Sequence, residues 1–182
     1  MSKKEFHVVF DRDGTLIGHV HYLSKPEQVY LLPGVKEGIK KLQQNQVSFS
    51  LHTNQSGVGR MYFSMDDVIK CNNKMFGLLD LKISSFTEIC IATEAPNQVI
   101  KYRKPSPNFG IELIKKYNYD LKNIFYIGDT FSDYQTAINL GCNFVGLDTG
   151  LVKLSSSPNI KQESIIIKNN FLSAIDHITG LL

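Results

Sequence analysis

Long apolar runs are missing from this chain of 182 residues. No stretch approaches the roughly 18 consecutive apolar residues that cross a bilayer, so no membrane partner is expected. A secretory leader is not legible either. Lys3 and Lys4 precede only Val8-Val9-Phe10 before Asp11 interrupts, too short for the hydrophobic part of a signal peptide, and a cytoplasmic location is expected. Cysteine is scarce and odd in number. Cys71, Cys90 and Cys142 stand at spacings that match no disulfide or metal framework, which suits a reducing compartment and reads as three small buried hydrophobes. Basic runs are also absent. Lys and Arg total 20 against 17 Asp and Glu, a net charge of +3, and the lysines are scattered. Nucleic acid is therefore not an expected partner, and a small anionic substrate accounts for the excess equally well. No internal repeat is present, and the low-complexity stretch Ser155-Ser156-Ser157-Pro158 reads as a surface connection.

What is present is ordinary for a globular chain: 42% hydrophobic and 20% charged residues, enough for one core and too short for two full domains. A single domain over residues 1–182 is expected. Residues 5–10 read as a buried strand ending abruptly at Asp11. Pro33-Gly34 opens a helix with apolar positions at Val35, Ile39 and Leu42, closed by Asn45, and residues 47–52 form a second strand with Thr53 and Asn54 just beyond it. Ser64 caps a helix through Val68, Met75 and Leu79, and a strand follows over residues 88–93. Ser106-Pro107 reads as a cap with proline at the first helical position. Residues 123–127 form a strand ending in Gly128-Asp129. A helix over 133–140 is stopped by Gly141, strands follow over 143–147 and 165–167, and a last helix begins at Asn170. Strand and helix alternate throughout. The expected fold is α/β, a three-layer Rossmann-like parallel sheet with helices on both faces, whose ligands bind beyond the carboxyl ends of the strands.

The chemistry-bearing residues fall at those strand ends. Asp11 and Asp13 flank Arg12 before Gly14-Thr15. Two like charges so close are tolerable when a hard divalent cation lies between them, leaving one carboxylate to attack phosphorus and the other to move protons. Taken alone, the segment is equally an Asx-type turn. Thr53-Asn54-Gln55-Ser56-Gly57 offers a hydroxyl, amides and a glycine able to surround phosphate oxygens, although by itself it is a polar turn. Arg103-Lys104-Pro105 places two cations before a helix N-terminus. Asp129 supplies a third strand-end carboxylate, with Asp133 four residues on to orient Lys104 or a metal-bound water.

Jointly, in order and residue type, these four segments resemble the haloacid dehalogenase superfamily of phosphatases over about the first 150 residues. Asp11-Arg12-Asp13-Gly14-Thr15, Thr53-Asn54-Gln55-Ser56-Gly57 and Arg103-Lys104-Pro105 are similar to the branch containing D-glycero-D-manno-heptose 1,7-bisphosphate 7-phosphatase and the histidinol-phosphate phosphatase domain. The resemblance implies Asp11 as nucleophile and Mg²⁺ ligand, Asp13 as general acid/base with its carbonyl on the metal, and Asp129 as a further ligand. It implies that Thr53 and Lys104 hold the transferring phosphoryl group, that Asn54 assists, and that Arg103 contacts the substrate.

The sequence departs from that branch where its members carry zinc on three cysteines and a histidine. Cys90 stands near the first position, but Ala92, Ile100 and Tyr102 occupy the others. One soft ligand cannot hold a structural zinc, so no zinc is expected and packing of Tyr102 and Ile100 is expected to stabilise the loop. The spans between motifs leave no room for a cap domain. A capless, open site is expected, with His19, His21 and Tyr22 in a flap after Thr15 touching a small phosphorylated metabolite, in a monomeric enzyme. The histidine pair lacks the third ligand a metal would need. A response-regulator receiver domain would place its paired acids, phospho-acceptor and lysine on different strands from those found here. A polynucleotide 3′-phosphatase would share the first motif, but the basic, aromatic-rich groove for a strand is not evident. A non-catalytic binder is set aside because every acid and the lysine are present.

Overall fold

A computed structural model describes residues 5–160 and 165–182. Six strands, β1 (His7–Phe10), β2 (Ser48–Asn54), β3 (Ile89–Ala92), β4 (Ile124–Gly128), β5 (Asn143–Leu147) and β6 (Ile166–Lys168), form one sheet in the order β3-β2-β1-β4-β5-β6. Every neighbouring pair is parallel. Six α-helices connect and flank them: α1 (Val35–Gln44), α2 (Ser56–Gly59), α3 (Met65–Leu78), α4 (Asn108–Tyr117), α5 (Phe131–Leu140) and α6 (Phe171–Thr179).

The two-residue period of a strand sends alternate side chains to opposite faces. Val8 and Phe10 of β1 join Phe125 and Ile127 of β4 in a core shared with α1, α3 and α6. Val9, Ile124 and Tyr126 enter the opposite core with Phe109 and Leu113 of α4 and Ala137 and Leu140 of α5. Both faces are thus covered, the environment in which an all-parallel sheet persists.

Local chemistry explains the helix ends. Ser64 accepts from the Asp67 N–H and Asp67 answers the Ser64 N–H, a reciprocal cap that starts α3. Thr130 and Asp133 do the same for α5, and Gly141, at φ 83°, closes it in the left-handed conformation. Three details differ from the sequence reading. Thr53 and Asn54 lie inside β2, not beyond it, because Ile91 and Ala92 of β3 continue the parallel pairing alongside them. Helix α4 starts at Asn108 with Pro107 as its cap. The Ser106 hydroxyl donates to the Lys101 carbonyl at 2.7 Å and accepts a longer contact from Asn108 N at 3.4 Å, one position before the cap. The single turn α2, with two glycines among its four residues, carries no periodicity that a sequence could show.

Strand order runs outward from β1 through β2 and β3 on one side and through β4, β5 and β6 on the other. The chain diverges between β1 and β4, and such a switch point opens a crevice at the carboxyl edge. Asp11 and Asp129 follow the last residues of those two strands. Between Asp13 and β2 lie a flap, pinned where Gly18 N donates to Tyr30 O, and α1. Between β2 and Lys104 lie α2, α3 and β3. Among the described residues no cap domain is inserted.

Candidate active site

The turn after β1 is tight. Arg12 O accepts from the N–H groups of both Leu16 and Ile17, and Gly14 N donates to Ile17 O at 2.8 Å. Gly14 sits at φ +83°, where a Cβ would also fall 2.3 Å from Asp129 Oδ2. A Cβ on Gly150 would fall 2.2 Å from the same oxygen. Glycine at both positions is what lets the Asp129 carboxylate reach the end of β1. Thr15 Oγ1 donates to Asp129 Oδ1 at 3.3 Å.

Asp13 is oriented from two sides. The fully buried Arg12 donates through Nε and Nη2 at 3.0 and 3.2 Å, while its Nη1 reaches Asn72 of α3 at 2.9 Å. Gln55 Nε2 donates to Asp13 Oδ2 at 3.0 Å and to Thr53 Oγ1 at 2.8 Å. Asp13 therefore faces the pocket on a fixed rotamer, and Arg12 ties the motif to the protein interior.

Lys104 is 4% exposed and points back at the acids. Its Nζ lies 2.7 Å from Asp11 Oδ1 and also bonds Asp133 Oδ1. The second Asp133 oxygen accepts from the Thr130 N–H at 3.0 Å and from its hydroxyl, so one residue caps α5 and anchors the lysine. Burial alone would lower the Lys104 pKa, but the charges of Asp11 and Asp133 and their hydrogen bonds outweigh it and push the value up. The ammonium stays charged.

The backbone around Lys104 has no regular structure and is held by side chains. Asn54 Oδ1 accepts from Lys104 N at 2.9 Å and Asn54 Nδ2 donates to Lys104 O at 3.3 Å. His52 Nε2 lies 2.8 Å from Tyr102 O, an atom that only accepts, so the proton sits on Nε2 and Nδ1 accepts from the Tyr126 hydroxyl at 3.2 Å. Burial lowers the His52 pKa to about 3, which keeps that ring neutral. Glu94 Oε1 accepts from the N–H groups of Lys101 at 2.9 Å and Tyr102 at 2.7 Å. Burial would raise the Glu94 pKa, but the N–H groups of Tyr102, Glu94 itself, Lys101 and Arg103 win and hold it below the ordinary value.

Asp11, Asp129 and Asp133 bring carboxylate oxygens within 4.8 Å of one another. Lys104 and Thr130 take both oxygens of Asp133, whereas Lys104 and Thr15 take only Oδ1 of Asp11 and of Asp129, so the carboxylates with an oxygen left for a cation are Asp11 and Asp129. Burial first, then Lys104 in opposition, then the charges of Asp133 and Asp13, set Asp11, with the net effect of raising it to about 7. Burial, then Asp11 and Asp133, push Asp129 up to about 8. A donor set of hard oxygens, short of positive charge, fits Mg²⁺.

Asp11, Asp13, Asn54, Gln55 and Lys104 line a pocket of about 310 Å³, with Asp129 held against Asp11 but not itself among the lining residues. His19, His21, Tyr22 and Phe63 line it as well. Tyr22 packs edge-on against His21 and Tyr62, with ring centroids 4.3 and 4.8 Å away. The structure thus brings together Asp11, Asp13, Asn54, Lys104, Asp129 and Asp133, with the buried Thr53 behind them. Arg103 is not among the lining residues; its Nη1 donates to Glu94 O at 3.1 Å. Of the packing expected to stabilise the loop, Tyr102 does pack against the second core, and its hydroxyl also donates to both oxygens of Glu112, whereas Ile100 is 50% exposed and contributes none. His52 and Glu94 carried no sequence signal as site residues, and the contact of Gln55 with Asp13 was not foreseen. Gln55 alone had a signal, its place in the Thr53–Gly57 motif.

Comparison with known proteins agrees with this architecture. The family model described as polynucleotide kinase 3 phosphatase matches residues 7–157. A D-glycero-beta-D-manno-heptose-1,7-bisphosphate 7-phosphatase from Rhodopseudomonas palustris is 30% identical over 134 residues, covering 70% of this chain and 74% of that protein. The histidine biosynthesis bifunctional protein HisB of Spirosoma linguale is 30% identical over 148 residues, covering 76% of this chain but only 37% of that protein. Among solved structures, a D,D-heptose 1,7-bisphosphate phosphatase from B. bronchiseptica, complexed with magnesium and phosphate, superposes with a TM-score of 0.86 at 22% identity, over 97% of this chain and 99% of that one.

Proposed function

Since this chain belongs to the polynucleotide kinase 3 phosphatase family and is a phosphatase of the haloacid dehalogenase superfamily, we propose that it acts through an aspartyl-phosphate on Asp11, with Mg²⁺ as cofactor. The substrate in this reading is D-glycero-D-manno-heptose 1,7-bisphosphate, hydrolysed at the 7-phosphate. The observation that carries it is the Lys104 ammonium 2.7 Å from Asp11 Oδ1, beside the Asp129 carboxylate.

Asp11 attacks phosphorus in line, forming a carboxylate O–P bond as the bond to the leaving oxygen breaks. Asp13 gives its proton to that oxygen, so the leaving group departs as an alcohol. Asp13 then takes a proton from a water attacking the phosphorus, which releases inorganic phosphate and restores the Asp11 carboxylate. Lys104 and the Thr53 hydroxyl stabilise charge on the non-transferring oxygens, the dominant requirement of phosphoryl transfer. Mg²⁺ held by Asp11, Asp129 and the Asp13 carbonyl would neutralise the repulsion between carboxylate and phosphate dianion. Arg103, placed off the pocket wall, would meet only the distal end of a long substrate.

Two observations favour second readings. The HisB relative supports histidinol phosphate, and the family description supports a 3′-phosphorylated strand. The discriminating experiment is kcat/KM with Mg²⁺ on heptose 1,7-bisphosphate, histidinol phosphate and a 3′-phosphorylated oligonucleotide. Preference for the heptose ester supports the assignment, and a better rate with either other ester replaces it. The same reading has residues 1–182 act as one phosphatase domain, a cytoplasmic monomer without zinc. Light scattering and metal analysis of the purified protein test those parts.

A further inference from the structure

Residues 101–104 belong to no helix or strand, so no backbone ladder fixes where the Lys104 arm begins. Side chains do it. On the carbonyl side, Ser106 Oγ and Asn108 Nδ2 donate to Lys101 O at 2.7 and 2.8 Å, and His52 holds Tyr102 O. On the amide side Asn54 Oδ1 takes Lys104 N at 2.9 Å, and a single oxygen serves the three residues before it. Glu94 Oε1 takes Lys101 N at 2.9 Å and Tyr102 N at 2.7 Å, with a longer contact from Arg103 N at 3.4 Å. Arg103 Nη1 returns a bond to Glu94 O, tying the two ends of the loop together.

We propose that Glu94 is a positioning residue for Lys104, acting beside the Asn54 clamp: its carboxylate gathers the amides of residues 101–103 and so helps set where the lysine ammonium meets the transferring phosphoryl group. This rests on the reading of Lys104 as the phosphate-holding cation. Convergent N–H groups form a concave anion site, and bonds to an ionised acceptor are roughly twice as strong as neutral ones. Glu94 is half-buried, so amides released from it can turn to water. Removing the carboxylate therefore loosens the segment without opening the core, and the loss falls on the placement of Lys104 more than on stability. A misplacement of about 1 Å at a reacting centre can cost about a hundredfold in rate.

The test compares Glu94→Ala, Glu94→Gln and, as a control, Glu112→Gln, which weakens the tie to the Tyr102 hydroxyl but leaves the amides anchored. Three readouts are taken with Mg²⁺: hydrogen exchange of the amides of residues 101–103, inhibition by inorganic phosphate, and kcat/KM on p-nitrophenyl phosphate. Glu94→Ala should exchange faster, bind phosphate about tenfold more weakly and lose about tenfold to a hundredfold in kcat/KM, with a melting temperature within a few degrees of the parent. Glu94→Gln, which keeps an acceptor oxygen, should recover most of the loss, and Glu112→Gln should match the parent. A Glu94→Ala protein within twofold of the parent in phosphate inhibition and kcat/KM overturns the proposal, as does unchanged amide exchange. If the parent protein hydrolyses no ester, the functional reading fails, while the exchange data still decide whether Glu94 holds the segment.

Discussion

The side-chain amide of Asn54 is bonded at both ends to the backbone of Lys104, its oxygen to the N–H at 2.9 Å and its nitrogen to the carbonyl at 3.3 Å. The second strand motif and the lysine motif, 50 residues apart in the chain, are thereby joined into one unit. On the proposed mechanism, Asn54 would serve the phosphate through the lysine it holds.

Asn54→Ala should therefore behave as a Lys104 defect. Leaving a buried N–H without its partner costs about 1–3 kcal/mol, and the lysine shifts. Steady-state kinetics should show kcat/KM down by about tenfold or more. Asn54→Asp keeps the acceptor and loses the donor, so its rate should fall between Ala and the parent. Equal rates for Asn54→Ala and the parent would contradict the clip.

Asp11→Asn removes the proposed nucleophile and one acid from a cluster of three. Turnover should drop by more than about a thousandfold, since groups acting as a unit fail together. Circular dichroism should report the parent fold, because the substitution is isosteric and relieves repulsion between buried carboxylates. Substantial residual hydrolysis would remove Asp11 from its role.

Stability should depend on pH in a way that Mg²⁺ abolishes. Burial raises Asp11 to about 7 and Asp129 to about 8 from 3.8, so between those limits the folded protein binds more protons than the unfolded chain and loses stability as pH rises. Burial lowers His7 and His52 to about 3 from 6.5, which has the opposite sign and ends near pH 6.5. Above pH 6.5 only the carboxylates remain. In chelator, raising the pH from 6.5 to 8 should cost about 2 kcal/mol, or roughly 5 °C in melting temperature. In excess Mg²⁺ the trend should flatten. A melting temperature that rises over that window in chelator would contradict the assignment of the acid cluster.

The aromatic wall should govern substrate binding more than chemistry. Tyr22 sits at φ 49°, a conformation that asparagine tolerates, so Tyr22→Asn removes the ring without straining the flap. Loss of ring contacts worth about 1 kcal/mol should raise KM about fivefold with kcat nearly unchanged. A fall in kcat with KM constant would place Tyr22 in the chemistry instead.

Much of this was legible because the fold repeats a local signal. The runs ending at Asp11 and Asp129 read as strands from their apolar residues and the glycine turns after them, and Ser64, Gly141 and Asn170 marked helix ends through chemistry within four residues. That the acids and Lys104 converge was legible because each follows a strand end or precedes a helix in the order the resemblance implies. What was not legible depends on distant partners. Glu94 reads as one surface acid until the backbone of residues 101–103 turns toward it, and Arg103 reads as a substrate contact until its guanidinium meets the Glu94 carbonyl. Packing of Ile100 was the wrong device for the loop because hydrogen bonds to half-exposed side chains leave no apolar pattern in a sequence.

The most direct measurement is acid quenching during turnover with Mg²⁺, followed by peptic digestion and mass mapping of phosphoryl groups. A hydroxylamine-labile phosphate on the peptide containing Asp11, absent from Asp11→Asn, is the result this account predicts. Sustained turnover with no phosphorylated peptide, or with the label on another residue, would contradict it.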